Sequence, residues 1–256
     1  MTKLHRTKKW LRCAMFAAKH LILGPLKFRH DRRCREFFAA LDVMQAHSGN
    51  LPLLNLREFF GENCFAEIRI FEDLASLLIN RHCGEIAVVS HSELFFLCAL
   101  AKHFAPGKVF EIGTGFGGTS YNLSLNLPAD AKIISLSRKI WPSGSVELGQ
   151  FLKSGRIELI SSNSLDYDFS PYSGAIDLVF VDGGHDYETV KIDSINALRM
   201  IKPGGIIVWH DYSRWFPGVR RCLNKLGEEL ALRQVLGTSL VVYQSPDAQE
   251  PSGGEL

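Results

Sequence analysis

The sequence lacks long apolar runs, paired cysteines and internal repeats. It contains no apolar stretch of about 18 residues, and the nearest approach, residues 10–26, is interrupted by Arg12, Lys19 and His20. We therefore expect neither a membrane-spanning helix nor a signal peptide. The six cysteines are scattered without a C-x-x-C pair. This spacing argues against a zinc ribbon or a disulfide framework and indicates reduced thiols in a cytoplasmic protein.

Acidic residues are nearly absent from the first 35 positions, where eleven Lys and Arg accompany a single acid, Asp31. This basic segment (residues 1–35) has a net charge of +10, whereas the rest of the chain has −8. Three interpretations stay open: a solvated arm that assists homo-oligomer assembly, an interfacial helix on an anionic membrane surface, and a nucleic-acid contact. The second would place the protein peripherally at the inner membrane surface. No RNA-binding platform is recognisable, so no specific nucleic acid is expected.

The remaining pattern is that of a globular α/β protein, with 46% hydrophobic and 22% charged residues. We predict a basic helical extension over residues 1–84, one domain over 85–244 and a disordered tail over 245–256. Within the domain, short β-branched runs alternate with helical periodicity, which favours a doubly wound, mostly parallel sheet. Strands are predicted at 108–112, 132–136, 156–160, 176–181, 205–209, 233–236 and 239–243. Helices are predicted at 90–104, 119–126, 146–153, 187–201 and 218–230.

A glycine-rich loop follows the first predicted strand, in the segment Val-Phe-Glu-Ile-Gly-Thr-Gly-Phe-Gly-Gly-Thr-Ser of residues 109–120. Glycines permit a tight turn and close approach of a ligand, and the next helix offers unpaired N–H groups to an anion. Gly113, Gly115 and Gly118 also satisfy the G-x-G-x-x-G pattern of dinucleotide enzymes. That fold expects an acid at the end of the second strand, where this chain has Ser137. Glu111, just before the loop, could instead receive an ammonium group.

With its glycine loop, the sequence resembles the class I S-adenosylmethionine-dependent methyltransferases. The segments 177–187 (DLVFVDGGHDY) and 201–212 (IKPGGIIVWHDY) narrow the resemblance to the branch of cephalosporin-hydroxylase-like and sugar O-methyltransferases. It spans about residues 85–243. It implies a Rossmann-like sheet of seven strands in the order 3-2-1-4-5-7-6, with the last strand antiparallel.

The resemblance assigns S-adenosylmethionine binding to residues of the loop and the strand ends. These are Glu111, Gly113, Thr114, Gly115, Phe116, Gly117, Thr119, Ser137, Asn163, Ser164, Asp182 and Gly183. Relatives usually carry acids where this chain has Ser137 and Asn163. An amide oxygen can still accept from the adenine amine, whereas Ser137 is a weaker partner for the ribose.

Four polar residues follow the fourth and fifth strands, where open parallel sheets bind ligands: Asp182, His185, His210 and Asp211. A sugar-type hydroxyl is a weak acid and needs a base, for which His185 is suited near neutral pH, with Asp182 as the second catalytic residue. The resemblance further implies a divalent ion, Mg²⁺ or Mn²⁺, on Asp182, His210 and Asp211, although Mg²⁺ prefers oxygen ligands.

The resulting hypothesis is an O-methyltransferase acting on a sugar, a polyol or another small molecule, or on a glycolipid. Two alternatives stay open. One is an NAD-dependent oxidoreductase of similar fold, and the other is a non-catalytic cofactor-binding or scaffold relative, motivated by Ser137 and Asn163.

Overall fold

The computed structural model describes residues 51–54, 59–60, 89–139 and 146–247. Most of the predicted extension, including the whole basic segment, and most of the predicted tail lie outside these residues. The helices are α1 (His91–Phe104), α2 (Gly118–Ser124), α3 (Val146–Leu152), α4 (Tyr187–Met200) and α5 (Pro217–Leu226), and a 3₁₀ turn spans Ser170–Tyr172. The strands are β1 (Lys108–Ile112), β2 (Lys132–Ser137), β3 (Ile157–Ser161), β4 (Ile176–Val181), β5 (Ile201–Trp209), β6 (Arg233–Gln234) and β7 (Val241–Gln244).

The strands form one sheet in the order β3-β2-β1-β4-β5-β7-β6, which confirms the predicted order. Strands β1 to β5 pair in parallel, and β7 runs antiparallel between β5 and β6. Dinucleotide-binding folds use the order 3-2-1-4-5-6 without such an inserted strand. The topology therefore disfavours the oxidoreductase alternative.

The sheet is covered on both faces, which explains its nearly continuous apolar strands. In β1, Val109 packs into the core cluster that includes α1 and α2, while Phe110 packs on the opposite face with α4 and α5. Glu111 shares the Val109 face because side chains alternate along a strand. This alternation directs the carboxylate toward α2 and the glycine loop.

Two helix starts carry the predicted caps. Ser90 and Glu93 form a capping box at α1, in which each side chain accepts the other residue's backbone N–H. Asp186 caps α4 by accepting from the Thr189 N–H at 3.0 Å. The second cap ends the loop that carries His185 and so limits its conformations.

Residues 51–54 and 59–60 pack against the domain, although we predicted this region as part of an extension. Leu53 forms an isolated parallel bridge with Gln234 of β6. Phe60 is 3% exposed and its ring lies 5.6 Å from that of Phe96. These residues therefore belong to the core and to the sheet edge. Among the described helices, none has the length and hydropathy of a membrane span.

Candidate active site

The carboxyl ends of the central strands bring the predicted site residues to one edge of the sheet. The ladder continues one residue beyond each strand. Gly113 N–H donates to Leu136 at 2.8 Å, Asp182 N–H to Ile112 at 2.7 Å and His210 N–H to Val181 at 3.0 Å. Gly113, Asp182 and His210 therefore start from backbone positions fixed by the sheet.

The glycine loop is shaped by close backbone contact on one side and open space on the other. Gly113 has φ 111°, and a Cβ there would lie 1.9 Å from the Asp182 carbonyl oxygen. Gly115 has φ 51°, and apart from Gly115 itself and its two chain neighbours no heavy atom of the described residues lies within 4 Å of its ideal Cβ position. Gly117 caps α2 in the left-handed conformation. The loop therefore leaves the backbone at Gly115 open to the approach of a ligand beside the α2 N-terminus.

Glu111 is fully buried beneath this loop and is held by two serines. Its Oε2 accepts from Ser120 at 2.6 Å and from Ser135, and Ser135 is in turn bonded to Thr114 at 2.8 Å. Its Oε1 is buried without a hydrogen-bond partner among the described residues. Burial raises the pKa of Glu111 to about 7, against the opposing serine hydrogen bonds. An unsatisfied buried oxygen of this kind is suited to a cationic ligand.

The other predicted cofactor residues line the same edge. Ser137, at the end of β2, donates to the Lys139 carbonyl at 3.1 Å. Asn163 bonds within its own loop, since its side-chain oxygen accepts from Leu165 N–H at 3.4 Å and its amide donates to Asp166 at 3.0 Å. Ser164 is buried, and Phe116, Thr119 and Gly183 are partly buried. Their roles toward a cofactor stay predictions.

His210 lies between two carboxylates. Its Nδ1 is 2.9 Å from Asp182 Oδ1, and its Nε2 is 3.2 Å from Glu93 Oε2. Burial would lower the pKa of His210, but the facing carboxylates Asp182, Glu93 and Asp211 raise it well above its usual value. Burial raises the pKa of Asp182, although His210 partly opposes this effect. His210 therefore carries positive charge into the site.

His185 is the accessible histidine, with 39% of its side chain exposed, and its Nε2 lies 2.8 Å from Asp211 Oδ2. This hydrogen bond raises the pKa of His185, although burial opposes it. Burial alone would raise the pKa of Asp211, but the two histidines bring it down to about 2. Asp211 also has φ 63°, an uncommon left-handed conformation for a non-glycine residue, which is typical of functional sites.

The residues that could hold an ion differ from the predicted set. Asp182, His185 and Asp211 offer ligand atoms that lie within 4.8 Å of one another. The predicted ligand His210 is 7% exposed at its side chain, and both its ring nitrogens face carboxylates. Ligation by His210 would require loss of one of these bonds. The geometry therefore favours His185 over His210 in this cluster, and ion binding itself stays a prediction.

Three features of the site were missed by the sequence reasoning. Glu93 appeared only as a capping residue, yet it also bonds His210. Phe216 stacks on the His185 ring with centroids 4.3 Å apart. Asp193 of α4 is fully buried below Gly183, and its carboxylate oxygens have no hydrogen-bond partner among the described residues. Burial raises the pKa of Asp193 to about 6, although the nearby Ser164 acts to lower it. These contacts depend on tertiary structure that spacing does not encode.

The sequence of the domain matches a protein-family model and part of a curated protein. Residues 110–212 match the family model described as Methyltransferase domain. A stretch of 53 residues is 40% identical to the uncharacterized protein R132 of Acanthamoeba polyphaga mimivirus, covering 20% of this chain and 24% of that protein. The match thus spans about a quarter of the length of this curated relative.

Solved structures share the fold. The O-methyltransferase TomG from Streptomyces achromogenes, in complex with SAM, has a TM-score of 0.54 at 18% identity, over 75% of this chain and 100% of its own. The SAH-bound methyltransferase PaMTH1 of Podospora anserina has a TM-score of 0.52 at 16% identity, over 78% and 100%. The match of residues 110–212 to the Methyltransferase domain model and the order of the sheet confirm the resemblance to class I S-adenosylmethionine-dependent methyltransferases that the glycine loop and the strand-end segments predicted.

Proposed function

We propose that the protein is an S-adenosylmethionine-dependent O-methyltransferase that acts on a hydroxyl of a sugar, a polyol or a related small molecule. The main support is the His185–Asp211 pair, which lies at the strand ends beside Asp182. A histidine oriented by a carboxylate is the arrangement that removes a proton near neutral pH. Its position next to the glycine loop is consistent with a role in methyl transfer.

The cofactor would lie against Glu111, the open side of Gly115 and the α2 N-terminus. The unsatisfied Glu111 Oε1 fits an ammonium group, and the space at Gly115 allows a ligand to approach the backbone. S-adenosylmethionine supplies an activated methyl group, so the protein must chiefly align the acceptor and remove its proton. These observations support the expected cofactor over NAD.

His185 is the proposed general base. When its Nε2–H donates to Asp211, the other ring nitrogen, Nδ1, has the lone pair that accepts the hydroxyl proton. Phe216 stacks on the ring and limits its rotation, and Asp211 stabilises the charged ring that results. This is a proton transfer that an alcohol needs, because its own pKa lies far above neutrality.

A divalent ion is a further proposal for the same cluster. Asp182 and Asp211 would provide oxygen ligands and His185 a nitrogen, a mixed set that suits Mn²⁺ better than Mg²⁺. A ring nitrogen that binds an ion cannot accept a proton. A neutral imidazole has only one unprotonated nitrogen, so the base role of His185 is compatible with an ion only where Asp182 and Asp211 hold the ion without His185.

The acceptor class and cellular location are inferred from surface features. Trp215, one residue from Phe216, is 61% exposed, and the Arg214 guanidinium lies 4.7 Å from its ring centroid. An exposed indole offers an apolar face and an N–H to a sugar. The net +10 of the basic segment supports an anionic surface as a second partner, so a glycolipid acceptor at the inner membrane surface remains part of the proposal. The buried free thiols of Cys98 and Cys222 are consistent with the cytoplasm.

Calorimetry with S-adenosylmethionine, S-adenosylhomocysteine and NAD tests the cofactor. We expect both sulfur compounds to bind and NAD not to bind. Binding of NAD alone would support the oxidoreductase alternative, and binding of none of the three would support the non-catalytic one.

Replacing the base tests the mechanism. S-adenosylhomocysteine release is measured with a panel of free sugars and polyols. We expect His185→Ala to lower turnover of any active acceptor by at least about 100-fold while cofactor affinity stays nearly unchanged. His103→Ala, which removes an exposed histidine of α1, serves as the control. Turnover that survives in His185→Ala would exclude His185 as the base.

A further inference from the structure

Glu93 links the start of α1 to the active site across 117 residues of sequence. It is 5% exposed and uses both carboxylate oxygens. Oε1 accepts from Ser239 N–H at 2.7 Å and from Ser239 Oγ at 2.6 Å. Oε2 accepts from Ser90 N–H at 2.8 Å and faces His210 Nε2. Bonds from three separate segments fix the position of this carboxylate.

A helix cap does not require this arrangement. The capping box at α1 needs only the bonds between Ser90 and Glu93, which an exposed side chain could also make. Burial alone would raise the pKa of Glu93, but His210 and Ser239 hold it well below its usual range. Removing a carboxylate from water costs free energy, and a helix cap that can form at the surface does not require that cost. The burial of Glu93 therefore points to a role besides capping.

His210 contacts both Glu93 and Asp182, so the position of Glu93 affects the orientation of Asp182. A neutral imidazole can donate through only one nitrogen, so a ring that faces carboxylates at both nitrogens donates through both. With Nε2 directed at Glu93, the ring plane is set and Nδ1 is directed at Asp182 Oδ1. The carboxylate of Asp182 also belongs to the cluster with His185 and Asp211, in which one ligand atom of each residue lies within 4.8 Å of the others.

We propose that Glu93 is a positioning residue, which acts through His210 to set the orientation of Asp182 at the active site. The proposal deepens the proposed methyltransferase function and rests on it. Glu93 does not contact a reacting atom. It plays the part of an outer carboxylate that orients an imidazole, as seen around ligand sites in other proteins.

The test is NMR of the ¹⁵N-labelled histidine rings in the full chain. His210→Gln identifies the His210 signals by their loss. We expect slowly exchanging hydrogens on both His210 nitrogens in the unmodified protein. Glu93→Gln should accelerate exchange of the Nδ1 hydrogen about tenfold, although Glu93 never touches Nδ1, because the ring loses a charged partner.

Ser90→Ala is the matched control, since it removes half of the capping box and leaves the Glu93–His210 contact in place. It should lower the melting temperature by a few degrees without changing the His210 signals. Unchanged Nδ1 exchange in Glu93→Gln, or equal changes in Ser90→Ala, would overturn the proposal. Thermal unfolding of each variant identifies general loosening. The NMR signals require neither cofactor nor acceptor, whereas the methyltransferase function is tested by calorimetry. Failure of the proposed function can therefore be distinguished from failure of the positioning role of Glu93.

Discussion

At the residue scale, Glu111 combines an unsatisfied buried oxygen with a pKa raised to about 7 by burial. Only the ionised carboxylate can pair with the ammonium group of the proposed cofactor. Below pH 7 the folded protein holds a proton on Glu111, which must leave before the pair forms. We therefore expect S-adenosylmethionine affinity to fall by about tenfold per pH unit below 7.

Calorimetry between pH 5.5 and pH 8.5, chosen to span about 1.5 units on each side of the Glu111 pKa, measures this dependence. Glu111→Gln should bind more weakly at high pH and lose most of the pH dependence. Glu158→Gln removes the same charge from an exposed position on β3 and should behave like the unmodified protein. If Glu111→Gln keeps both the affinity and its pH dependence, the ammonium is bound elsewhere.

At the element scale, the N-terminus of α5 supports the loop that carries His185. Gly218 approaches this loop so closely that a Cβ would lie 2.4 Å from the His185 carbonyl oxygen and 2.8 Å from Tyr187 N. Both atoms belong to backbone, so the clash cannot be relieved by a side-chain rotation. We expect Gly218→Ala to push α5 away, at a cost of about 1–3 kcal/mol, and to disturb the Phe216–His185 stack.

Thermal unfolding should show a melting temperature several degrees lower for Gly218→Ala. Lys225→Ala, on an exposed position of the same helix, should leave it nearly unchanged. The cofactor loop lies on the other side of Asp182, so S-adenosylmethionine affinity should change little. Equal melting temperatures for the two variants would show that α5 does not need this close contact.

The elements of the sheet were also the most predictable part of the molecule. β1 and β4 were predicted at the residues where they occur, because strands buried on both faces appear as compact apolar runs between turn residues. Helix α5 was predicted to end at Leu230 but ends at Leu226, and β5 begins at Ile201 rather than Gly205. Leu230 keeps helical spacing from Leu226 although the helix has ended, and Lys202, Pro203 and Gly204 interrupt the apolar run at the start of β5. Periodicity alone therefore does not mark these boundaries.

At the scale of the whole molecule, sequence order predicted which residues meet but not how they pair. The strand ends placed Asp182, His185, His210 and Asp211 together, as parallel topology requires. The partner of each histidine depends on loop backbone angles and on Glu93, which lies on a distant helix. Because these partners are not visible in the sequence, His210 was predicted as an ion ligand. The structure gives it two carboxylate partners and leaves His185 accessible.

The whole molecule also includes residues 51–54 and 59–60, which no motif marked as part of the domain. Leu54 N–H donates to Gln234 at 2.7 Å, Gln234 N–H donates to Pro52 at 2.8 Å, and Phe60 is buried against α1. A chain that lacks residues 1–60 should therefore unfold at lower urea concentration than one that lacks only 1–50. Loss of a buried phenylalanine alone costs about 3–5 kcal/mol.

Urea unfolding of the two truncated chains measures this difference in stability. Phe60→Ala in the chain that lacks only residues 1–50 separates the contribution of the buried ring from that of the contacts with β6. The chain that lacks 1–50 should bind S-adenosylmethionine like the full protein, because Glu111, the glycine loop and the loop after β4 are all retained. Equal stability of the two truncations would mean that residues 51–60 are dispensable for the fold. Loss of cofactor binding in the chain that lacks residues 1–50 would instead show that part of residues 1–50 completes the cofactor site.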